Sequence, residues 1–168
     1  MIASAKSRNV PIRVVGRGMQ WKLGAATINF LHPTPPFNLE DDNINSVAFS
    51  LEYKAKRLLF LGDAPSEVED TMNPGVLDVL KLAHHGSRFS TGERLLRRTT
   101  PKAVVISSGA DNTYGHPSKD VLERLKPYRP LAFRTDRDGA ITYLLETGIW
   151  RTLMKNPEAG LLGQPTER

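Results

Sequence analysis

The chain contains no cysteine. That excludes disulfides, zinc–thiolate sites and a cysteine nucleophile, and it leaves the compartment open. No apolar run approaches the roughly 18 residues of a membrane span. The opening MIASAKSRNVPIRVV lacks the apolar stretch and small-residue cleavage site of a secretory signal. No internal repeat or low-complexity block is present. Histidine is scarce: His32, His84, His85 and His116 are the four, so imidazole chemistry has few places to sit. What remains is ordinary. With 168 residues, 39% of them hydrophobic and 24% charged, the chain suits one globular domain with a core. A formal net charge of +5 fits an acidic partner such as nucleic acid, and equally a bland basic surface.

The pattern along the chain predicts strands first and strand–helix alternation later. Residues 1–8 are polar and expected to fray, and the domain is expected over residues 9–154. IRVVGRG reads as a strand, and MQWKLG with ATINFLH reads as a hairpin about Gly24-Ala25. The proline-rich HPTPPFNLEDDNIN is a loop. SVAFSLEY alternates as a half-buried strand does. KRLLFLGD is a short continuous apolar run that delivers Asp63 at its end. VLDVLKLA does the same for His84 and His85. Ser66 with Glu69, and Ser90 with Glu93, fit capping boxes, the second opening the helix GERLLRRT. AVVISSG is a strand, SKDVLERLK a helix, and LAFRT and AITYLLE are strands about an Asp138-Gly139 hairpin turn. Residues 155–168 carry Pro, Gly, Glu and Arg and are expected to form a flexible tail.

Several strands therefore end in polar residues that can do chemistry. Asp63 needs a partner, either a metal ion or a helix N-terminus. The segment HHGSRFS (His84 to Ser90) admits three readings. One histidine binds metal while the other flanks it; both cap a sheet edge; or Ser87 is a nucleophile with a histidine base. The last lacks the Gly-x-Ser-x-Gly elbow. In an extended segment adjacent histidines point to opposite sides. Ser107, Ser108, Asn112, Tyr114 and His116 form a second candidate loop. It can hold a phosphate or carboxylate, with His116 as proton donor, and Pro117-Ser118 is also an ordinary helix start. Arg88, Arg94, Arg97, Arg98 and Lys102 could track nucleic-acid phosphates; the plainer alternative is a solvated helix face.

Taken together, these motifs are specific. The run NINS (Asn43 to Ser46), Gly62-Asp63, DVLKLAHHGS (Asp78 to Ser87), PKAVVISSG (Pro101 to Gly109), NTYGHP (Asn112 to Pro117) and RTDRDGAI (Arg134 to Ile141) resembles the metallo-β-lactamase domain of ComEC-type DNA-uptake competence proteins. The resemblance covers Asn9 to Leu145. It implies an α/β fold of the αββα sandwich type, of which this chain matches the C-terminal half, a mixed β-sheet with flanking helices. It implies one or two divalent metal ions, zinc or manganese, and hydrolysis of phosphodiesters in DNA. Carried over, Asp63 and His85 are metal ligands and His84 stands beside them in the catalytic centre. His116 is the catalytic histidine near the substrate, and Ser87, Ser108, Asn112 and Tyr114 contact substrate. Asn43, Asn45 and Ser46 stand where many relatives carry a further histidine.

The family's HxHxDH-type segment has no counterpart here. His32 stands in LHPTPP, which matches a later part of the family pattern. The resemblance therefore implies weak metal binding by this chain alone, since a catalytic zinc usually takes three protein ligands. The missing half would come from a longer protein or from a partner chain. A non-catalytic nucleic-acid-binding or interaction module is the alternative. In a ComEC-like protein the membrane segments would lie outside this chain.

Overall fold

The computed structural model describes residues 2–38 and 40–153. After a short helix, α1 (Ile2–Ser7), the chain builds β1 (Gln20–Leu23), β2 (Ala26–His32), β3 (Ala48–Tyr53) and β4 (Lys56–Phe60) as an antiparallel meander. Then the direction of pairing changes. β5 (Val79–Lys81), β6 (Ala103–Ile106) and β7 (Leu131–Arg134) add in parallel, giving one seven-stranded sheet in the order β1 to β7. Parallel neighbours need crossovers, and α2 (Ser66–Glu69), α3 (Glu93–Thr99) and α4 (Lys119–Leu125) supply them. One helical turn, α5 (Thr135–Asp138), follows β7. The hairpin of β8 (Ile141–Leu144) and β9 (Ile149–Thr152) forms a separate two-stranded sheet. Among the described residues no helix is long and apolar enough to cross a membrane.

The two faces of the large sheet differ. On one, Leu59, Leu61, Leu80, Leu82, Val104 and Ile106 meet Val68, Leu95, Leu96, Val121 and Leu125 of the three crossover helices in one buried cluster. On the other, Leu58, Val79, Ala103 and Phe133 form a smaller cluster under the β8–β9 hairpin, where Trp150 stacks on Phe133 at 4.2 Å. That hairpin covers only part of the face. Beyond it runs an aromatic ladder of Trp21, Phe30, Phe49 and Phe60, with neighbouring rings 4.9, 6.1 and 4.9 Å apart. An apolar cleft of about 300 Å³, lined by Leu51, Phe60, Tyr143 and Trp150 among others, lies between hairpin and sheet.

Several expectations need correction. Residues 12–18 form no strand; Arg17 and Gly18 N–H groups donate to Pro33 and Phe30 carbonyls beside β2 without a ladder. Ile2–Ser7 forms a short helix rather than an irregular lead-in. Neither capping box forms. Pro65 and Gly92 are the N-cap residues of α2 and α3. The buried Glu69 carboxylate instead accepts the Thr91 and Gly92 N–H groups at 2.6 and 2.8 Å, so it organises the entry to α3, not its own helix. No hairpin turns at Asp138-Gly139, because Asp138 is buried and accepts the Arg134 N–H at 2.7 Å, closing α5. The expected tail, residues 155–168, lies outside the described residues.

Candidate metal centre and cleft

Parallel strands bring their C-terminal ends to one sheet edge, and that edge collects the candidate residues. β4 runs into Leu61-Gly62-Asp63. Gly62 has φ 59°, and a Cβ there would lie 3.2 Å from the Ser46 Cβ. Ser46 Oγ accepts the Asp63 N–H at 3.1 Å. β5 runs into a tight turn, Ala83–Gly86, whose His84 N–H donates to the Gly62 carbonyl at 3.0 Å. His84 (φ 46°, ψ 48°) and His85 (φ 57°, ψ 18°) are both left-handed. They are therefore not the alternating pair expected of an extended segment. Left-handed backbone at a residue with a Cβ costs about 1–2 kcal/mol, so the surroundings hold this turn against its own preference.

What holds it is the second candidate loop. Gly86 (φ 83°) packs so closely that an added Cβ would lie 2.7 Å from the Pro117 Cβ, and the Ser118 N–H donates to the Gly86 carbonyl at 2.9 Å. The histidine turn and the Gly115-His116-Pro117 loop are thus one docked unit. Ser118 also caps α4, its side chain accepting from Val121, as the sequence leads one to expect. Thr135, at the end of β7, clasps the backbone of Ser108 through a donated and an accepted hydrogen bond of 2.8 and 2.9 Å.

His85 Nδ1 lies 2.7 Å from the Ser107 carbonyl oxygen. A carbonyl only accepts, so Nδ1 carries a proton, and in the neutral ring the lone pair is on Nε2. Nε2 faces Asp63 Oδ1 at 3.9 Å, and both side chains are about half exposed. An imidazole anchored through one nitrogen and bare at the other, opposite a carboxylate oxygen, is the arrangement of a metal-binding histidine. The pair suits zinc or manganese by donor chemistry. It supplies two donors, and among the described residues no group of three or more His, Asp or Glu converges to hold a metal ion.

The His84 ring stands between the other two imidazoles, 6.1 Å from His85 and 5.8 Å from His116. Burial, then the neighbouring His84 and His85, lower the His116 pKa, so His116 is a neutral imidazole at neutral pH. Tyr114 stacks over it, the rings 6.1 Å apart and 17° from parallel. His85, Ser108, Asn112, Tyr114 and His116 line a cleft of about 210 Å³. Ser108 Oγ and His116 Nδ1 are buried there without a hydrogen-bond partner among the described residues. Lys81, on the partly covered face, has its pKa lowered by burial, opposed by the Asp63 charge.

Other candidates are placed differently. The amide of Asn112 ties its own loop together, donating to the Gly109 and His116 carbonyls at 2.7 Å and accepting the His116 N–H at 2.8 Å. Ser87 is buried, and its Oγ accepts the Phe89 N–H. Arg94 and Arg98 pair with Asp70, and Arg97 with Glu93, along the α3 side, while Lys102 pairs with Asp78. Arg88 alone of the basic cluster borders the histidine loops, its guanidinium 4.8 Å over the Phe89 ring. His32 is buried and donates through Nε2 to the Ile44 carbonyl at 2.7 Å. The sequence reading did not single out Thr135 or Phe89; RTDRDGAI and HHGSRFS contain them, but spacing alone does not reveal a clasp or an exposed ring.

No family model matches the chain. It is 33% identical over 147 residues to the ComE operon protein 3 of Bacillus subtilis (strain 168), covering 85% of this chain and 19% of that protein. It is 32% identical over 134 residues to the competence protein ComA of Neisseria gonorrhoeae, covering 77% of this chain and 19% of that one. The chain thus spans about a fifth of the length of these relatives. By shape it matches a solved structure from Parabacteroides distasonis that bears the description metal-dependent hydrolase. The TM-score is 0.51 at 15% identity, over 80% of this chain and 61% of that one, which is a likeness of fold.

Proposed function

Since this chain belongs to the ComEC-type family of competence proteins, as a metallo-β-lactamase-type domain, we propose that it serves metal-dependent hydrolysis of phosphodiester bonds in DNA during uptake. The observation that carries this is the anchored His85, whose free Nε2 faces Asp63 across 3.9 Å at the ends of parallel strands. Asp63 and His85 would hold one divalent ion, zinc or manganese. A bound ion would supply Lewis acidity toward a phosphoryl oxygen and ease deprotonation of water. The remaining donors come from a further segment of the longer protein or from a partner chain, so this chain alone binds metal weakly. The partly covered aromatic face supports such a further layer.

The chain's own groups have distinct tasks. His116 offers an N–H and a lone pair beside the substrate rather than a fixed charge. His84 spaces it from His85. Ser108 lines the cleft, its Oγ buried without a hydrogen-bond partner among the described residues. Manganese binding to the isolated chain, followed by calorimetry, and manganese-dependent cleavage of DNA by the chain within the longer protein are the tests. Both should be abolished by Asp63→Asn. Cleavage that survives the substitution sinks the assignment. Nucleic-acid binding with no metal-dependent cleavage in either form would favour the alternative, a non-catalytic binding module.

A further inference from the structure

We infer that the cleft beside the histidine loops binds a single strand of nucleic acid, stacking unpaired bases on Phe89 and Tyr114. The inference rests on the proposed DNA substrate and adds its form. Phe89 is 65% exposed and Tyr114 83% exposed. Among the described residues neither ring belongs to a buried apolar cluster. Together with Ser87, Arg88, His116 and Lys119 they line an open cleft of about 450 Å³. Tyr114 and His116 also line the 210 Å³ cleft that His85 borders, so this pair of rings is the wall between the two.

The rings are pre-set. Arg88 lies over Phe89, and His116 lies nearly parallel beneath Tyr114. A ring held in place loses little freedom when a base settles on it. Asp120 also lines the cleft, so it is not a uniformly cationic trough and charge alone does not account for binding. Aromatic faces grip any base by stacking, whereas in a duplex both faces of each base are already stacked within the helix. Exposed rings flanked by cations next to a candidate metal centre therefore select a strand with unpaired bases, and hand its backbone across the Tyr114–His116 wall toward His85 and Asp63.

The test is fluorescence anisotropy with a labelled short thymidine oligonucleotide, an abasic strand of equal length and a duplex, all with a chelator present so that neither metal nor cleavage enters. The thymidine strand should bind about tenfold more tightly than the abasic one. The Phe89→Ala, Tyr114→Ala double variant should bring the two together, while Tyr114→Phe should leave the preference in place. Both rings are exposed, and circular dichroism of each variant verifies the fold. Equal binding of abasic and thymidine strands, duplex binding as tight as single strand, or an unchanged preference in the double variant overturns the inference. A chain that shows the preference yet never cleaves keeps this inference and loses the hydrolase reading; cleavage without the preference does the reverse.

Discussion

The sheet has one closed face and one partly open face, made by the same strands. Along β4, Leu59 points into the helix layer and is fully buried, while Leu58 and Phe60 on either side point to the hairpin and the aromatic ladder. Crossovers between parallel strands seal the first face, because each of them must carry a helix. Among the described residues the second face carries the β8–β9 hairpin, which reaches β3 to β7 and leaves Trp21 at the far end 38% exposed. The candidate centre sits at the strand ends where the faces meet. The scaffold of the centre is therefore rigid on the helix side, and its open flank is on the ladder side.

The largest expected effect separates the faces directly. Leu80→Ala, in the closed layer, should cost about 2–5 kcal/mol, because a cavity remains where the helices cannot collapse. Leu51→Ala, partly exposed on the open face, should cost only about 1 kcal/mol, in proportion to the apolar area it hides. Urea midpoints measure both; equal losses would erase the distinction. Next comes the unit that joins the two histidine loops. Gly86→Ala should cost about 1–3 kcal/mol through overpacking against Pro117 and its left-handed backbone. A cycle with Pro117→Gly should recover part of that loss; strict additivity would mean that the two loops are not coupled.

A separate effect is a slope in pH. Burial pushes the Glu69 carboxyl up to about 7 from its ordinary 4.5, against the two backbone N–H groups that favour its charge. The folded state thus holds this proton more tightly than the unfolded chain does. Its stabilising contribution is complete below about pH 4.5 and is lost as pH rises through 7. Melting temperature should fall across that window on this account, and Glu69→Gln should flatten the trend. A wild-type slope that persists in the variant would assign it to other groups.

Much of the scaffold was legible. Apolar runs ending in Gly-Asp or in paired histidines mark parallel strands that deliver chemistry to one edge. Gly24 marks a hairpin and Ser118 a cap. Other features depend on distant contacts. Ser66 and Glu69 have capping-box spacing, yet burial brings the Glu69 carboxylate to Thr91 and Gly92. His84 and His85 follow a strand, yet Pro117 packed on Gly86 keeps them in a left-handed turn that periodicity cannot reveal. Asn112 looks like a ligand-binding amide because it has the same groups that staple a loop. The basic run after the histidines reads as one stripe, but Asp70 and Glu93 draw most of it to the far side of α3.

The aromatic ladder has an optical consequence. The chain has two tryptophans, and both belong to the partly open face: Trp21 edge-on to Phe30 at its rim, Trp150 stacked on Phe133 beneath the hairpin. Tryptophan emission thus comes from that one surface and none of it from the helix layer. Covering the surface would move the Trp21 emission to shorter wavelength, and lifting the hairpin would move the Trp150 emission the other way. The protein is its own unlabelled gauge of which side of the sheet is occupied.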